Sequence, residues 1–159
     1  MYFKRLLEKK LLDLFSHFPV VVVTGARQVG KTTLLRKTFP KADYVVFDPH
    51  VDVENAREDP ELFLNHHHPP LILDEIQYAQ SLVSTLKRRL DENRKPGQYL
   101  LTGSQQWEVM KSLAESLAGR AVFIDLEGFS LQEIANRTQT PGWLAEWLKD
   151  PDGFAFKKH

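Results

Sequence analysis

The 159-residue sequence contains no cysteine. A disulfide scaffold, a thiolate zinc site and a cysteine nucleophile are therefore excluded for this chain. Long apolar runs are also missing: none is longer than Val20–Val23, whereas a membrane-spanning helix needs roughly 18 or more apolar residues. Charged residues interrupt the early apolar stretches, so no signal-peptide core is found. These absences predict a cytoplasmic protein without a membrane segment.

An excess of charge of one sign is missing as well. The 21 Lys and Arg residues balance the 21 Asp and Glu residues, so the net formal charge is zero. A protein that mainly neutralises nucleic-acid phosphates is usually basic, and this composition weighs against that class. Nucleic acid remains a weakly supported partner because of one local basic cluster, formed by Lys87, Arg88, Arg89, Arg94 and Lys95. A solvated helix face is the simpler interpretation of that cluster.

Short β-branched runs alternate with helical patterns along most of the chain. Five runs are typical of strands buried in a parallel sheet: Val20–Val23, Tyr44–Phe47, Leu71–Leu73, Tyr99–Leu101 and Ala121–Ile124. Amphipathic helices are predicted over residues 4–18 and between the strands, at Lys31–Thr38, Pro60–Asn65, Leu82–Leu90 and Trp107–Leu117. This alternation predicts an α/β fold, a three-layer sandwich around a parallel sheet.

The pattern changes after Asn136. Just before it, Ser130 and Glu133 have the spacing of a capping box, which predicts a helix beginning near Leu131. Residues 138–142 are typical of a linker, and two tryptophans and two leucines within residues 143–148 predict a short helix with a wide apolar face. We therefore predict a main domain over residues 1–136 and a second region over residues 137–159, made of a linker, a short helix and a tail.

A glycine-rich loop directly follows the first predicted strand. It matches the phosphate-loop pattern G-x-x-x-x-G-K-[ST] and consists of Gly25, Ala26, Arg27, Gln28, Val29, Gly30, Lys31, Thr32 and Thr33. The glycines allow close backbone approach, and the loop amides would converge on phosphates at the positive end of the next helix. In this pattern Lys31 reaches the β and γ phosphates, and the Thr32 hydroxyl binds Mg²⁺.

Two adjacent carboxylates, Asp74 and Glu75, end the third predicted strand. Asp74 would hold Mg²⁺, and Glu75 would polarise the water that attacks the γ phosphate. Asn93–Pro96 lacks the order and the acid of the guanine-selecting Asn-Lys-x-Asp motif. Elimination therefore favours ATP over GTP as the nucleotide.

Two further residues are candidates for the chemistry. Ser104, favoured over Thr102, would contact the γ phosphate or the attacking water, and a helix-capping role for it is compatible with this one. Arg120 would act as an arginine finger on the nucleotide of its own chain or of a neighbour, which would require self-association. Its alternative role is that of a favourable partner of a helix dipole. His66–His68 are interpreted as a solvated loop rather than as metal ligands.

Four segments together resemble the AAA-type ATPases of bacteria and archaea: Gly25–Thr33, Leu73–Gln77, Leu101–Ser104 and Ser116–Arg120. More closely, they resemble the AAA_14 domain family, whose domain usually precedes a DUF4143 C-terminal domain. The resemblance spans about residues 2–135. It implies a P-loop NTPase sandwich of the AAA/ASCE type, with a five-stranded parallel sheet in the order 5-1-4-3-2. The strand Tyr99–Leu101 would then separate the phosphate-loop strand from the acidic strand.

The resemblance also implies ATP binding and slow hydrolysis. The sequence therefore predicts a Mg²⁺-dependent ATPase that forms ADP and phosphate. Because no DUF4143 domain follows within these residues, we expect either a fragment or a short form. A nucleotide-binding interaction or regulatory module without turnover is the alternative. A small P-loop kinase is less favoured, since no lid insertion lies between Leu101 and Ala121.

Overall fold

The computed structural model describes residues 2–103, 107–138 and 142–150. The chain divides into two compact units. One is Leu7–Gly128, and the other combines Met1–Leu6 with Phe129–His159. The domain boundary that the sequence analysis places at residue 136 stays a prediction.

The larger unit is built on one parallel sheet of five strands. The strands are β1 (Val20–Thr24), β2 (Asp43–Val46), β3 (Leu71–Asp74), β4 (Tyr99–Thr102) and β5 (Ala121–Asp125). Their order across the sheet is β2-β3-β4-β1-β5, and every neighbouring pair is parallel. The predicted strand order, with β4 between β1 and β3, is confirmed.

One helix precedes β1 and four helices connect the strands, and each lies within one or two residues of its predicted bounds except at the start of the first helix. They are α1 (Leu7–His17), α2 (Lys31–Thr38), α3 (Pro60–His66), α4 (Gln80–Glu92) and α5 (Trp107–Ser116). The first helix begins at Leu7 rather than at residue 4. Short 3₁₀ turns follow β2 at Val53–Asn55 and β3 at Ile76–Tyr78.

Helices cover both faces of the sheet. Val20 and Val22 face a cluster that includes Phe63 of α3 and Leu86 of α4. Val21 and Val23 face the opposite cluster, to which α1 and α2 contribute. Since successive strand residues point to opposite faces, a continuous valine run fits a strand that is buried on both sides. The predicted three-layer α/β sandwich is confirmed, and its rigid sheet fixes where the strand ends lie.

The smaller unit contains α6 (Leu131–Ile134) and α7 (Trp143–Lys149). The predicted capping box is present: the Glu133 N–H donates to Ser130 Oγ at 3.2 Å, and the Ser130 N–H donates to Glu133 Oε2 at 2.8 Å. Arg5 Nε also donates to Glu133 Oε1 at 3.0 Å, and both side chains are buried. Burial would raise the pKa of Glu133, but donation from Ser130, Leu6 and Arg5 outweighs it and lowers that pKa. None of the described helices has the length and apolarity needed to cross a membrane.

Candidate functional site

The phosphate loop leaves β1 at the carboxyl edge of the sheet and depends on close backbone contact. The Leu126 N–H donates to the Thr24 carbonyl at 2.8 Å, which brings the chain after β5 against the loop. Gly25 has a φ of 145°, and a Cβ there would lie 2.3 Å from the Leu126 carbonyl oxygen. Gly30, with a φ of 97°, turns the chain into α2. These two positions therefore require glycine, as the motif predicts.

Lys31 lies buried inside the loop. Its ammonium donates to the carbonyl oxygens of Gly25 and Ala26, each at 2.9 Å. Among the described residues, no carboxylate forms an ion pair with it. A buried ammonium with only carbonyl partners lacks its countercharge. The first amides of α2 also lack intrahelical acceptors, so this end of the helix favours an anion.

Asp74 is the other buried charge of this region, with 2% of its surface exposed. Its Oδ2 accepts from the Thr32 hydroxyl at 2.6 Å and from the Tyr44 hydroxyl at 2.8 Å, and its Oδ1 accepts from the Thr102 hydroxyl. All three donors are neutral, and no described cation forms an ion pair with this carboxylate. A buried carboxylate beside a threonine hydroxyl is a hard-oxygen set that fits Mg²⁺.

Tyr44 approaches Asp74 from the edge strand β2. Burial is the main cause of its raised pKa, followed by the hydrogen bond to Asp74 and the charge of that carboxylate. The guanidinium of Arg36 lies 4.9 Å from the centre of the Tyr44 ring. The phenol therefore stays protonated and acts as a permanent donor to the carboxylate.

Glu75 follows Asp74 in a left-handed backbone conformation, with φ 59° and ψ 45°. Its N–H donates to the Thr102 hydroxyl at 3.1 Å, and its carbonyl accepts from the Tyr78 N–H at 3.0 Å. The side-chain amide of Gln77 donates to Glu75 Oε2. Left-handed geometry is unfavourable for a non-glycine residue, and such strain is concentrated at functional sites. One hydroxyl, that of Thr102, thus connects both acidic residues.

A cleft of about 480 Å³ lies between the phosphate loop and the turn after β3. Its lining comprises Arg27, Gln28, Gly30, Lys31, Thr32, Thr33, Glu75 and Tyr78. Six of the nine predicted phosphate-loop residues, including the predicted metal ligand Thr32, thus line the cleft together with the predicted base Glu75, and Asp74 accepts a hydrogen bond from Thr32. Ser104 lies outside the described residues.

Arg120 lies at the other end of the sheet, immediately before β5. Its Nε donates to Asp91 Oδ1 at 2.5 Å, and its Nη1 donates to the Ala118 carbonyl at 2.9 Å. The five residues of β5 separate it from the carboxyl edge by about 16 Å, at roughly 3.3 Å per residue. The structure therefore does not bring Arg120 to the phosphate loop of its own chain. The arginine-finger hypothesis then requires that Arg120 contacts the nucleotide of a neighbouring chain.

The histidines and the basic cluster make contacts within the fold. His67 Nε2 lies 2.9 Å from Glu54 Oε2, and no group of three or more metal-ligating side chains is found within the described ranges. Arg88 and Arg89 both bind Glu61, and Arg94 donates to the Gly119 carbonyl. Three cations of the basic cluster are thus occupied by intramolecular contacts.

Three site residues were not singled out from the sequence: Tyr44, Gln77 and Thr102 in the role seen here. Tyr44 and Thr102 reach Asp74 across 30 and 28 residues, so only the strand order places them beside it. The order implied by the family resemblance puts β2 and β4 on either side of β3, which was the available signal. Gln77 lies two residues after Glu75 in the sequence. This spacing alone does not predict that its side chain turns back to the Glu75 carboxylate.

Comparison with known families identifies the family of this chain. The family AAA_14, described as an AAA domain, matches residues 17–135. The chain belongs to this family. It is 33% identical over 127 residues to two uncharacterized proteins, Rv2008c of Mycobacterium tuberculosis and Mb2031c of Mycobacterium bovis. Each match covers 79% of this chain but 29% of the relative, so the chain spans less than a third of the length of these curated relatives.

Solved structures of P-loop ATPases have the same fold. A Walker-type ATPase of Pyrococcus abyssi superimposes with a TM-score of 0.59 and 16% identity, covering 97% of this AAA_14 chain and 60% of that protein. A STAND signal-transduction ATPase with a tetratricopeptide repeat sensor, from Pyrococcus horikoshii, gives a TM-score of 0.54 and 15% identity, covering 96% and 26%. The AAA_14 chain therefore has a P-loop NTPase fold, in agreement with its place in a family of AAA domains.

Proposed function

We propose that this AAA_14 chain binds Mg-ATP in the cleft and slowly hydrolyses it to ADP and phosphate. The observation that supports this most is the charge arrangement at the carboxyl edge of the sheet. Lys31 is buried against carbonyl oxygens, and Asp74 is buried against hydroxyl groups. A magnesium triphosphate would supply the counterion that each of them lacks, an anion for Lys31 and a cation for Asp74.

Each residue of the cleft has a role in this proposal. Lys31 exchanges the carbonyls of Gly25 and Ala26 for phosphate oxygens, and the loop amides bind the remaining oxygens. Thr32 and Asp74 would hold Mg²⁺, directly or through water. When bound, this ion neutralises charge on the phosphates. Tyr44 and Thr102 keep the Asp74 carboxylate in place.

Glu75 is the proposed general base. It lines the cleft next to Lys31 and Thr32, so its carboxylate can accept a proton from a water molecule beside the γ phosphate. The water oxygen then bonds to the γ phosphorus, the bond from that phosphorus to the β–γ bridging oxygen breaks, and ADP leaves. Turnover is expected to be slow because Arg120, the proposed arginine finger, lies before β5 and is bound to Asp91, so that Arg27 is the cation besides Lys31 among the described residues that line the cleft.

A calorimetric titration with Mg-ATP and Mg-GTP, followed by phosphate release on the same sample, tests the proposal. We expect binding of Mg-ATP that is lost in Lys31→Ala and kept in Lys37→Ala, since Lys37 is an exposed lysine of the same helix. Glu75→Gln should bind ATP but release phosphate at least about 100-fold more slowly, whereas the exposed-site control Glu92→Gln should match the wild type. Equal phosphate release by Glu75→Gln would refute Glu75 as the base.

A nucleotide-binding module without turnover is a second candidate, favoured by the position of Arg120. Its guanidinium is held by Asp91 and the Ala118 carbonyl, away from the loop of the same chain. An isolated chain would then bind ATP and keep it intact. Mg-ATP binding without any phosphate release at every protein concentration would support this candidate, and transfer of the γ phosphate to an acceptor other than water would indicate a kinase instead.

A further inference from the structure

A buried amide lies directly against the proposed base. Gln77, in the 3₁₀ turn Ile76–Tyr78, has 8% of its surface exposed. Its Nε2 donates to Glu75 Oε2, while its own Oε1 is buried and has no hydrogen-bond donor among the described residues. The side chain thus makes one hydrogen bond and leaves its other polar atom unsatisfied.

That unsatisfied oxygen indicates what the residue contributes. A buried acceptor without a donor is unfavourable, so an apolar side chain of the same size would suit this position better if packing were its only task. The reverse amide orientation would place Oε1 against a carboxylate oxygen, two acceptors facing each other. The donor is therefore the useful half of the amide, and its acceptor is Glu75.

Glu75 needs such a support because its backbone alone does not fix the carboxylate. The left-handed conformation is held by the Thr102 hydroxyl and the Tyr78 N–H, both of which bind main-chain atoms. Gln77 is the described donor to the side chain, and it occupies one of the two carboxylate oxygens. Among the described hydrogen bonds the other oxygen, Oε1, has no protein donor, which leaves it available to a water molecule in the cleft.

We propose that Gln77 is a positioning residue, which holds the Glu75 carboxylate so that its second oxygen faces the attacking water. This inference rests on the proposed function, in which Glu75 is the base. Because Gln77 acts through Glu75 and is absent from the cleft lining, it should affect the rate of the chemical step and leave nucleotide binding unchanged.

The test compares Gln77→Met, an isosteric side chain without a donor, with the wild type. We expect kcat for ATP hydrolysis to fall about 10- to 100-fold, as for other misplaced catalytic groups. The KM for ATP and the calorimetric Kd for Mg-ADP should stay within about twofold, and Tm should be equal or higher because the unsatisfied oxygen is gone. Gln77→Glu, which keeps the shape but replaces the donor with an ionised acceptor, should lose kcat to the same extent and covers the case in which the methionine variant folds poorly.

The double variant Glu75→Gln with Gln77→Met separates positioning from packing. If Gln77 acts through Glu75, its substitution should lower the residual rate of Glu75→Gln less than twofold, since coupled residues are not additive. An equal loss in both backgrounds, or a weakened Kd together with a lowered Tm, would overturn the inference in favour of a packing role. Wild-type kcat in Gln77→Met with an inactive Glu75→Gln would overturn it while leaving the proposed function intact. No hydrolysis by the wild type would overturn both.

Discussion

Buried charged side chains have different partners at the two ends of the sheet. At the amino end, each buried or half-buried cation meets an acid: Arg120 pairs with Asp91 at 2.5 Å, and Arg89 pairs with Glu61 at 2.6 Å. At the carboxyl end, Lys31 meets only carbonyl oxygens, and Asp74 meets only hydroxyl groups. Both ends belong to the same unit and to the same five strands.

The difference distinguishes charges that are paired within the fold from charges for which we propose a ligand as the partner. A charge that is paired inside the fold gains its countercharge when the chain folds. A buried charge with neutral partners costs folding free energy and is retained where binding repays that cost. The contrast in pairing therefore supports, independently of the sequence motifs, the proposal that the carboxyl end holds the nucleotide site.

The largest effect among the predictions is expected for Asp74→Asn at the carboxyl end. We expect ATP hydrolysis to fall at least about 100-fold, because the carboxylate proposed to hold Mg²⁺ is lost. The free protein should nevertheless gain about 1–2 kcal/mol of unfolding free energy, since a buried unpaired charge becomes a neutral amide. Urea unfolding without nucleotide and phosphate release measure the two effects. Asp91→Asn at the amino end is the matched control and should lose stability, and a loss of stability in Asp74→Asn would contradict the contrast.

Arg120 tests whether a paired charge at the amino end also serves a neighbouring chain. If it acts as an arginine finger in an assembly, turnover per molecule should rise with protein concentration, and Arg120→Ala should remove that rise, a loss of about 10-fold or more. Asp91→Ala removes the same ion pair but keeps the guanidinium, so it should retain the concentration dependence. If turnover by the wild type does not depend on protein concentration, the role of Arg120 is limited to its ion pair with Asp91.

Tyr44→Phe should have a smaller effect at the carboxyl end. It removes one of the three hydroxyl donors of Asp74 and keeps the ring beneath Arg36. Loss of an outer hydrogen bond to a metal ligand weakens metal binding by about 10-fold. Titrating phosphate release with Mg²⁺ at saturating ATP measures this change. A wild-type Mg²⁺ requirement in Tyr44→Phe would show that Thr32 and Thr102 position Asp74 without it.

The pH dependence of this contribution follows from the raised pKa of Tyr44. Burial and the bond to Asp74 lift that pKa above its ordinary value of 10.0. The hydroxyl therefore donates fully below pH 10, and its contribution is lost only as the pH rises through the higher value in the folded state. The ratio of Mg²⁺ affinities between wild type and Tyr44→Phe should be constant from pH 7 to pH 9, and a ratio that falls in this range would contradict the assignment.

Local pattern was enough to predict most of the fold. The strands at Val20 and Leu71 and the phosphate loop between Gly25 and Thr33 could be placed because the signals are contiguous: β-branched runs, glycines at required backbone angles and a lysine at fixed spacing. The start of α1 was placed three residues early, since Lys4–Leu6 continue the amphipathic pattern while the structure assigns them to the other unit. Such a boundary is decided by long-range packing and not by periodicity.

The candidate site was predicted only as far as its motifs extend. Lys31, Thr32, Asp74 and Glu75 carry recognisable spacing, whereas Tyr44 becomes a partner of Asp74 because Val46 is in register with Asp74 across two adjacent strands. The direction of Gln77 depends on the left-handed turn at Glu75, a conformation that no propensity scale assigns to glutamate. Contacts set by register and by strained backbone are the part that sequence reasoning missed.

The smallest expected effect concerns Glu61 at the amino end. Hydrogen bonds from Arg88 and Arg89 lower the pKa of this carboxyl below its ordinary value of 4.5, so its stabilising contribution is present above pH 4.5 and is lost as the pH falls through the lower value in the folded state. Glu61→Gln should therefore have a slightly lower Tm than the wild type at pH 7, and the difference should disappear as the pH falls below 4.5. Glu58→Gln, a carboxylate without an ion pair among the described residues, should differ from the wild type equally at every pH. A Tm difference for Glu61→Gln that did not change with pH would mean that the charge of Glu61 does not stabilise the fold through its ion pairs. Charge pairing would then no longer distinguish the two ends of the sheet.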